Sequence, residues 1–247
     1  MRLITLLTLC FNTGMFAQTS EILLDRSINP SALLDFNTPA YHLNFTMLNQ
    51  KIGLNEREVG SIFRIKNNVY QSTVYQYGYE KFQESSFRIS TAKKLSNTIE
   101  VGLRVSYNYL YIYEFDNLSA VSFDLGFGFK KDRFVLRLLL ENPLNAAYRE
   151  NDLESQFIIS SRYWWTESLN STIRFEESLL SGLSILHRIK YSYRSRVSLL
   201  ISQRLKPLEY GYGLGFKIKN LQFYSRYIKY SYTNALGLCI IYTPKNE

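Results

Sequence analysis

Over residues 98–115 the chain alternates with a period of two. Ile99, Val101, Leu103, Val105, Tyr107, Tyr109, Tyr111, Tyr113 and Phe115 are apolar or aromatic, whereas Glu100, Gly102, Arg104, Ser106, Asn108 and Glu114 between them are polar or small. Successive side chains of a strand point to opposite faces, so the pattern predicts a β-strand with one greasy and one wet face. Strands of soluble proteins usually run about 5–6 residues. One of this length reaches across a bilayer, and its tyrosines gather toward one end, where a membrane strand places its aromatic girdle.

The same pattern recurs along the chain. Tyr41, Leu43, Phe45 and Met47 oppose His42, Asn44 and Thr46; Val121, Phe123, Leu125, Phe127 and Phe129 oppose Ser122, Asp124, Gly126, Gly128 and Lys130. Tyr210, Tyr212, Leu214, Phe216 and Ile218 oppose Gly211, Gly213, Gly215, Lys217 and Lys219. Leu236, Leu238, Ile240 and Tyr242 close the chain against Ala235, Gly237 and Cys239. The predicted fold is all-β, an antiparallel transmembrane β-barrel of fourteen strands, with twelve as the alternative count. Every second connection is short, and the long ones, expected at 48–58 and 142–153, fall on the other side. That is how barrels with short periplasmic turns and longer outer loops are built. A β-sandwich also alternates, but its exposed faces would carry charge where these carry aromatics.

Three segments are expected. Residues 1–17 read as a signal peptide, with Arg2, an apolar run and Ala17 before the cleavage site. Residues 18–39 do not alternate and contain Pro30 and Pro39, so they form an N-terminal hatch-like segment tucked into the barrel. Residues 40–247 form the barrel. Cleavage leaves Cys239 alone, so no intramolecular disulfide is expected.

Composition supports the membrane reading: 20 Tyr and 16 Phe sit in a chain whose mean hydropathy is below zero. Apolar-out and polar-in average away along a barrel strand. The 29 Lys and Arg against 21 Asp and Glu matter through where they point. With apolar faces on lipid, Arg64, Arg88, Arg104, Lys130, Arg137, Arg162, Arg174, Arg188, Lys190, Arg204, Lys217 and Lys219 face inward. Fewer acids share that face: Glu100, Asp124, Glu141 and Glu176. A low-dielectric wall focuses such charge, so this lumen is expected to favour anionic or amphipathic solutes, unless Arg–Glu pairs simply fill it. The basic residues are spread one or two per strand, which argues against nucleic acid. The two histidines, His42 and His187, have no Ser or Asp at a triad spacing, so no enzyme is expected. Neither a metal nor a cofactor is expected, because the chain has no Cys/His cluster and no phosphate-binding glycine loop.

The motif Asn29-Pro30-Ser31-Ala32-Leu33 resembles the Asn-Pro-Ala element in the hatch of FadL-like outer-membrane barrels. The block from Ser119 to Ala146, with Ser122-Phe123-Asp124-Leu125-Gly126 and later Glu141-Asn142-Pro143, is similar to PorV/PorQ-type relatives that serve type IX secretion. This resemblance implies a fourteen-stranded barrel in the cell outer membrane, in contact with outer-membrane lipid. It also implies either solute passage or a partnership with other outer-membrane or secretion-machine proteins. It specifies no oligomeric state.

Overall fold

The computed structural model describes residues 29–36, 38–49, 53–148, 151–178, 182–230 and 233–244. The expected signal peptide and residues 18–28 of the hatch segment lie outside them. After a 3-10 helix, Pro30–Asp35, come β1 (Ala40–Asn49), β2 (Leu54–Ile65), β3 (Asn68–Tyr79), β4 (Phe82–Lys94), β5 (Ile99–Ile112), β6 (Leu118–Lys131) and β7 (Phe134–Glu141). A small ribbon follows, β8 (Ala147–Tyr148) with β9 (Asn151–Asp152). The chain then continues through β10 (Gln156–Trp164), β11 (Leu169–Ser178), β12 (Gly182–Tyr193), β13 (Val197–Leu205), β14 (Glu209–Ile218), β15 (Leu221–Lys229) and β16 (Asn234–Tyr242).

Among the described residues, β1–β7 and β10–β16 form one closed antiparallel barrel of fourteen strands. Each strand pairs with its sequence neighbour, β7 with β10 across the ribbon. Pairing of β1 with β16 from Tyr41↔Tyr242 to Met47↔Leu236 closes the ring, so no ladder edge is left open. The outward set is apolar and exposed: Leu43, Ile65, Tyr107, Phe127, Ile201, Tyr212 and Ile240 belong to a band around the whole barrel. Monomeric soluble proteins do not present apolar surface on that scale.

The alternation places nearly all the expected strands, with one revision at β2. The stretch 48–58 was expected to be a long loop, yet β2 begins at Leu54. Its first residues alternate Glu56 and Glu58 inward with Asn55 and Arg57 outward. At this open end the outward face is polar, and without an apolar set the period-two signal vanishes. The loop at 142–155 is a true long connection.

Turns at residues 66–67, 95–98, 132–133, 165–168, 194–196 and 219–220 share one end of the barrel with the start of β1 and the end of β16. We call this the short-turn end. Buried residues gather there: Ala40, Ile62, Val69, Ala92, Cys239 and Ile241 line the wall and enclose Ala32, Leu33, Leu34 and Phe36.

Candidate functional site

Residues 29–36 lie inside the barrel as a plug at the short-turn end, against β3, β4, β5 and β6. The segment is locally rigid. Pro30 opens the 3-10 helix, where its missing N–H costs nothing. Asn29 caps it, its Oδ1 accepting from the Ser31 nitrogen at 2.9 Å and the Ser31 hydroxyl at 2.8 Å. The Asn29 amide also donates to the Leu138 carbonyl of the wall at 2.7 Å. The wall is hollowed to receive it. A Cβ at Gly102 would strike the Pro30 carbonyl carbon and the Ser31 nitrogen, and one at Gly126 would strike Asn29 Oδ1.

At its far end the plug is tied by charge. Asp35 accepts from Arg137 at 2.8 Å and lies 3.5 Å from the Lys130 ammonium, while Arg137 also reaches Glu100 at 3.4 Å. Burial opposes ionisation of Asp35, but the charges of Arg137, Lys130 and Arg162, with the Arg137 hydrogen bond, outweigh it. Its carboxyl is held below the usual range.

The inward set expected from the sequence divides into groups. Arg104 pairs with Asp124 and, at 3.2 Å, with Glu141; Asp124 also accepts from the Asn142 nitrogen. Arg204 pairs with Glu176 and, at 3.2 Å, with Glu209, and Arg174 meets Glu176 at 2.6 Å. Arg162 donates to the Thr172 hydroxyl, and Arg188 and Lys190 are buried in the wall. Lys217 is half-buried near the short turns, whereas Arg64 and Lys219 are exposed at that rim. Lys219 lies in the 219–220 turn with φ 52°, past the end of β14, so it does not face the lumen as expected from the alternation. His42 points inward to Glu58 at 3.1 Å, and His187 outward.

Sequence reasoning undercounted the acids. Asp35, Glu58, Glu84 and Glu154 join the interior from segments where no apolar partner set marks a strand face, and Glu209 joins it from the first rung of β14, in parity with Gly211 and Gly213. The glycines of β14 serve close packing, as their spacing suggests: the Tyr224 ring lies over Gly213 and Gly215.

On the long-loop side of the plug a cavity of ≈ 250 Å³ opens along β3 to β7 and β10. Its charged lining is Arg88 and Arg104 against Glu84, Asp124, Glu141 and Glu154, with Tyr75, Ser106, Asn108 and Ser122 between them. Two guanidiniums thus face four carboxylates, the reverse of the balance expected for the whole lumen. Arg88 donates from Nε to the Ser86 hydroxyl at 2.9 Å, and its guanidinium lies 4.5 Å from the Tyr75 ring centre. The two ends of the 142–155 connection stand at this cavity. Asn142, with φ 49°, donates to the carbonyls of Ala146 and Leu153 and accepts from the Ala146 nitrogen, so one side chain sets the loop's shape. Leu153 and Glu154 then reach the cavity. Tyr148 in the ribbon is buried, its hydroxyl without a partner among the described residues. Burial, and then the nearby Glu84 charge, push its phenol well up.

The chain matches no protein-family model and no curated protein. Its architecture is found among solved outer-membrane barrels. The CymD monoaromatic hydrocarbon channel superposes with a TM-score of 0.64 over 94% of both chains at 6% identity. A mutant of the Rh. blastica porin superposes at 0.50, covering 83% of this chain and 98% of that one, also at 6% identity. At such identities the likeness is one of fold. It supports the barrel implied by the FadL- and PorV-type resemblance and nothing specific to those families.

Proposed function

We propose that this chain is an outer-membrane β-barrel for a small polar, charged solute. The solute enters from the long-loop side, and the plug closes the barrel toward the short-turn side. One observation carries this reading: a charged cavity opens above a segment whose seat is cut into the wall. Short turns face the periplasm and lipid surrounds the apolar band. The anion preference expected from the sequence is not part of the proposal, because carboxylates dominate the cavity's own lining. The channel and the porin among comparable barrels support a non-enzymatic role.

A second reading, a non-conducting barrel that partners other proteins of an outer-membrane secretion machine, draws on the same plug and on the paired wall charges. Uptake into liposomes separates the two. The full chain and a variant lacking residues 29–36 are reconstituted side by side. Solute entry that rises when the plug is removed is the expected result. Impermeability of both, with the barrel folded, overturns passage in favour of the partner role.

A further inference from the structure

Most charges around the cavity already have partners. Arg104 is held by Asp124 and Glu141, and Glu154 accepts the Ser178 hydroxyl. Glu84 has no hydrogen-bond or ion-pair partner among the described residues, and the Arg88 cation meets only the Ser86 hydroxyl and the Tyr75 ring there, with no carboxylate paired to it; both line the cavity. They stand on the same inward face of β4, four residues apart, so their Cα atoms are about 13 Å from each other.

The Arg88 side chain closes part of that distance. Its Nε donates to Ser86, and its guanidinium lies over Tyr75, which is opposite Ser86 in the β3–β4 register. The positive charge is therefore displaced about two residues toward Glu84, leaving about 7 Å along the strand between it and the Glu84 position. Beside this gap Asn108 is opposite Ser86 in the β4–β5 register. Its amide donates to Ser122, and its carbonyl oxygen accepts from none of the described residues.

We propose that the cavity binds a short linear zwitterion of dipeptide size, its carboxylate on Arg88 and its ammonium on Glu84. The span matches, since two extended residues cover about 7 Å. The volume matches too, because ≈ 250 Å³ falls below the pockets that hold drug-sized ligands. The charge pattern excludes the simpler alternatives. A plain anion on Arg88 faces four carboxylates, and a plain cation on Glu84 leaves the guanidinium unmatched. The unused Asn108 carbonyl offers an acceptor for a peptide N–H between the two ends.

The inference rests on the solute-site reading above, and the experiment keeps the two apart. Titration calorimetry on the folded full chain in detergent compares L-alanyl-L-alanine with its N-acetyl and C-amide forms. Each blocked form is expected to bind roughly tenfold more weakly, since a charge-assisted hydrogen bond is lost at one end. Glu84→Gln should erase the penalty for N-acetylation alone, and Arg88→Gln the penalty for amidation alone. Equal binding of all three peptides to the wild-type barrel, or no binding of any, overturns the proposal without recourse to variants. Uptake of dialanine into liposomes is read separately. Entry without discrimination between the peptides sinks the zwitterion site and leaves solute passage standing; discrimination without entry does the opposite.

Discussion

Replacement of Gly102 by alanine tests whether the seated plug is what closes the lumen. The added methyl would strike the Pro30 carbonyl carbon and the Ser31 nitrogen. These are backbone atoms, in a segment whose geometry is fixed by a proline and a cap, so they cannot swing aside. Overpacking of this kind costs about 1–3 kcal/mol. The strand ladder does not share that cost, because Gly102 sits in extended backbone that alanine adopts at least as readily. The penalty falls on plug against wall and should shift the ratio of seated to displaced plug by roughly 5–150-fold.

Conductance in planar bilayers reads the displacement, and protease sensitivity of residues 29–36 gives an independent measure. Both are taken on protein whose unboiled band shows a closed barrel. Gly211→Ala is the matched control. Its methyl meets the Ser202 hydroxyl, a side chain with other rotamers, and no part of the plug. Gly102→Ala should raise both signals and Gly211→Ala should leave them at the wild-type level. A folded Gly102→Ala barrel with wild-type conductance and wild-type plug protection would refute the argument.

Three further outcomes are expected. Leu103→Arg or Leu125→Arg, cross-strand neighbours on the outward face, should lower barrel stability by about 2–4 kcal/mol, measured by denaturant unfolding in lipid vesicles. Arg104→Gln should cost about 3–5 kcal/mol in the same assay, because it leaves Asp124 and Glu141 together in the wall without their cation. Asp35 makes plug seating depend on acid. Its carboxyl is held below the usual carboxylate range when seated, so its stabilisation is complete above that range and is lost as pH falls through the depressed value. Protease protection of the plug should weaken over that acid range in the wild type, and Asp35→Asn should flatten the dependence.

How much of this was legible in the sequence follows from the range of each interaction. Lipid requires an apolar residue at every second position, so the outward face of β5 or β6 is written locally and can be read from one strand. Parity also identifies most of the inward residues. It does not say which of them meet: Arg137 and Asp35 are 102 residues apart, and only barrel closure with the plug in place brings them together. The acids were undercounted for a related reason. Glu56 and Glu58 lie where the outward face of β2 is polar, and Asp35 lies on an element with no period-two face at all. Lys219 has the parity of an inward residue but follows the last rung of β14, and parity carries no information beyond a strand's end. The glycines at 102 and 126 were visible as small inward residues, but their use as a seat depends on a segment some 70 or more positions earlier in the chain.

The plug and the charged wall divide the work of holding this interior. At the short-turn end the inward positions of β2–β4 and β16 include Ile62, Val69, Ala92, Cys239 and Ile241, an apolar arc that an open pore would leave wet. Leu33, Leu34 and Phe36 fill it, and a fully buried side chain of that size stabilises by about 1.5–3 kcal/mol. Their sum exceeds the ~1.5–3 kcal/mol of a hydrogen bond to a charged group such as Asp35 to Arg137. The apolar cluster therefore supplies the affinity of the plug for its seat. The ion pair, together with the Asn29 contact to Leu138, fixes its orientation against β7. Protonation or neutralisation of Asp35 then loosens one end of the plug and leaves Leu33 in place. Charge set into the Leu33 pocket removes the larger contribution and frees the whole segment. The lumen on the long-loop side of the plug is built on the opposite principle, with its walls charged and Glu84 and Arg88 without ion-pair partners among the described residues.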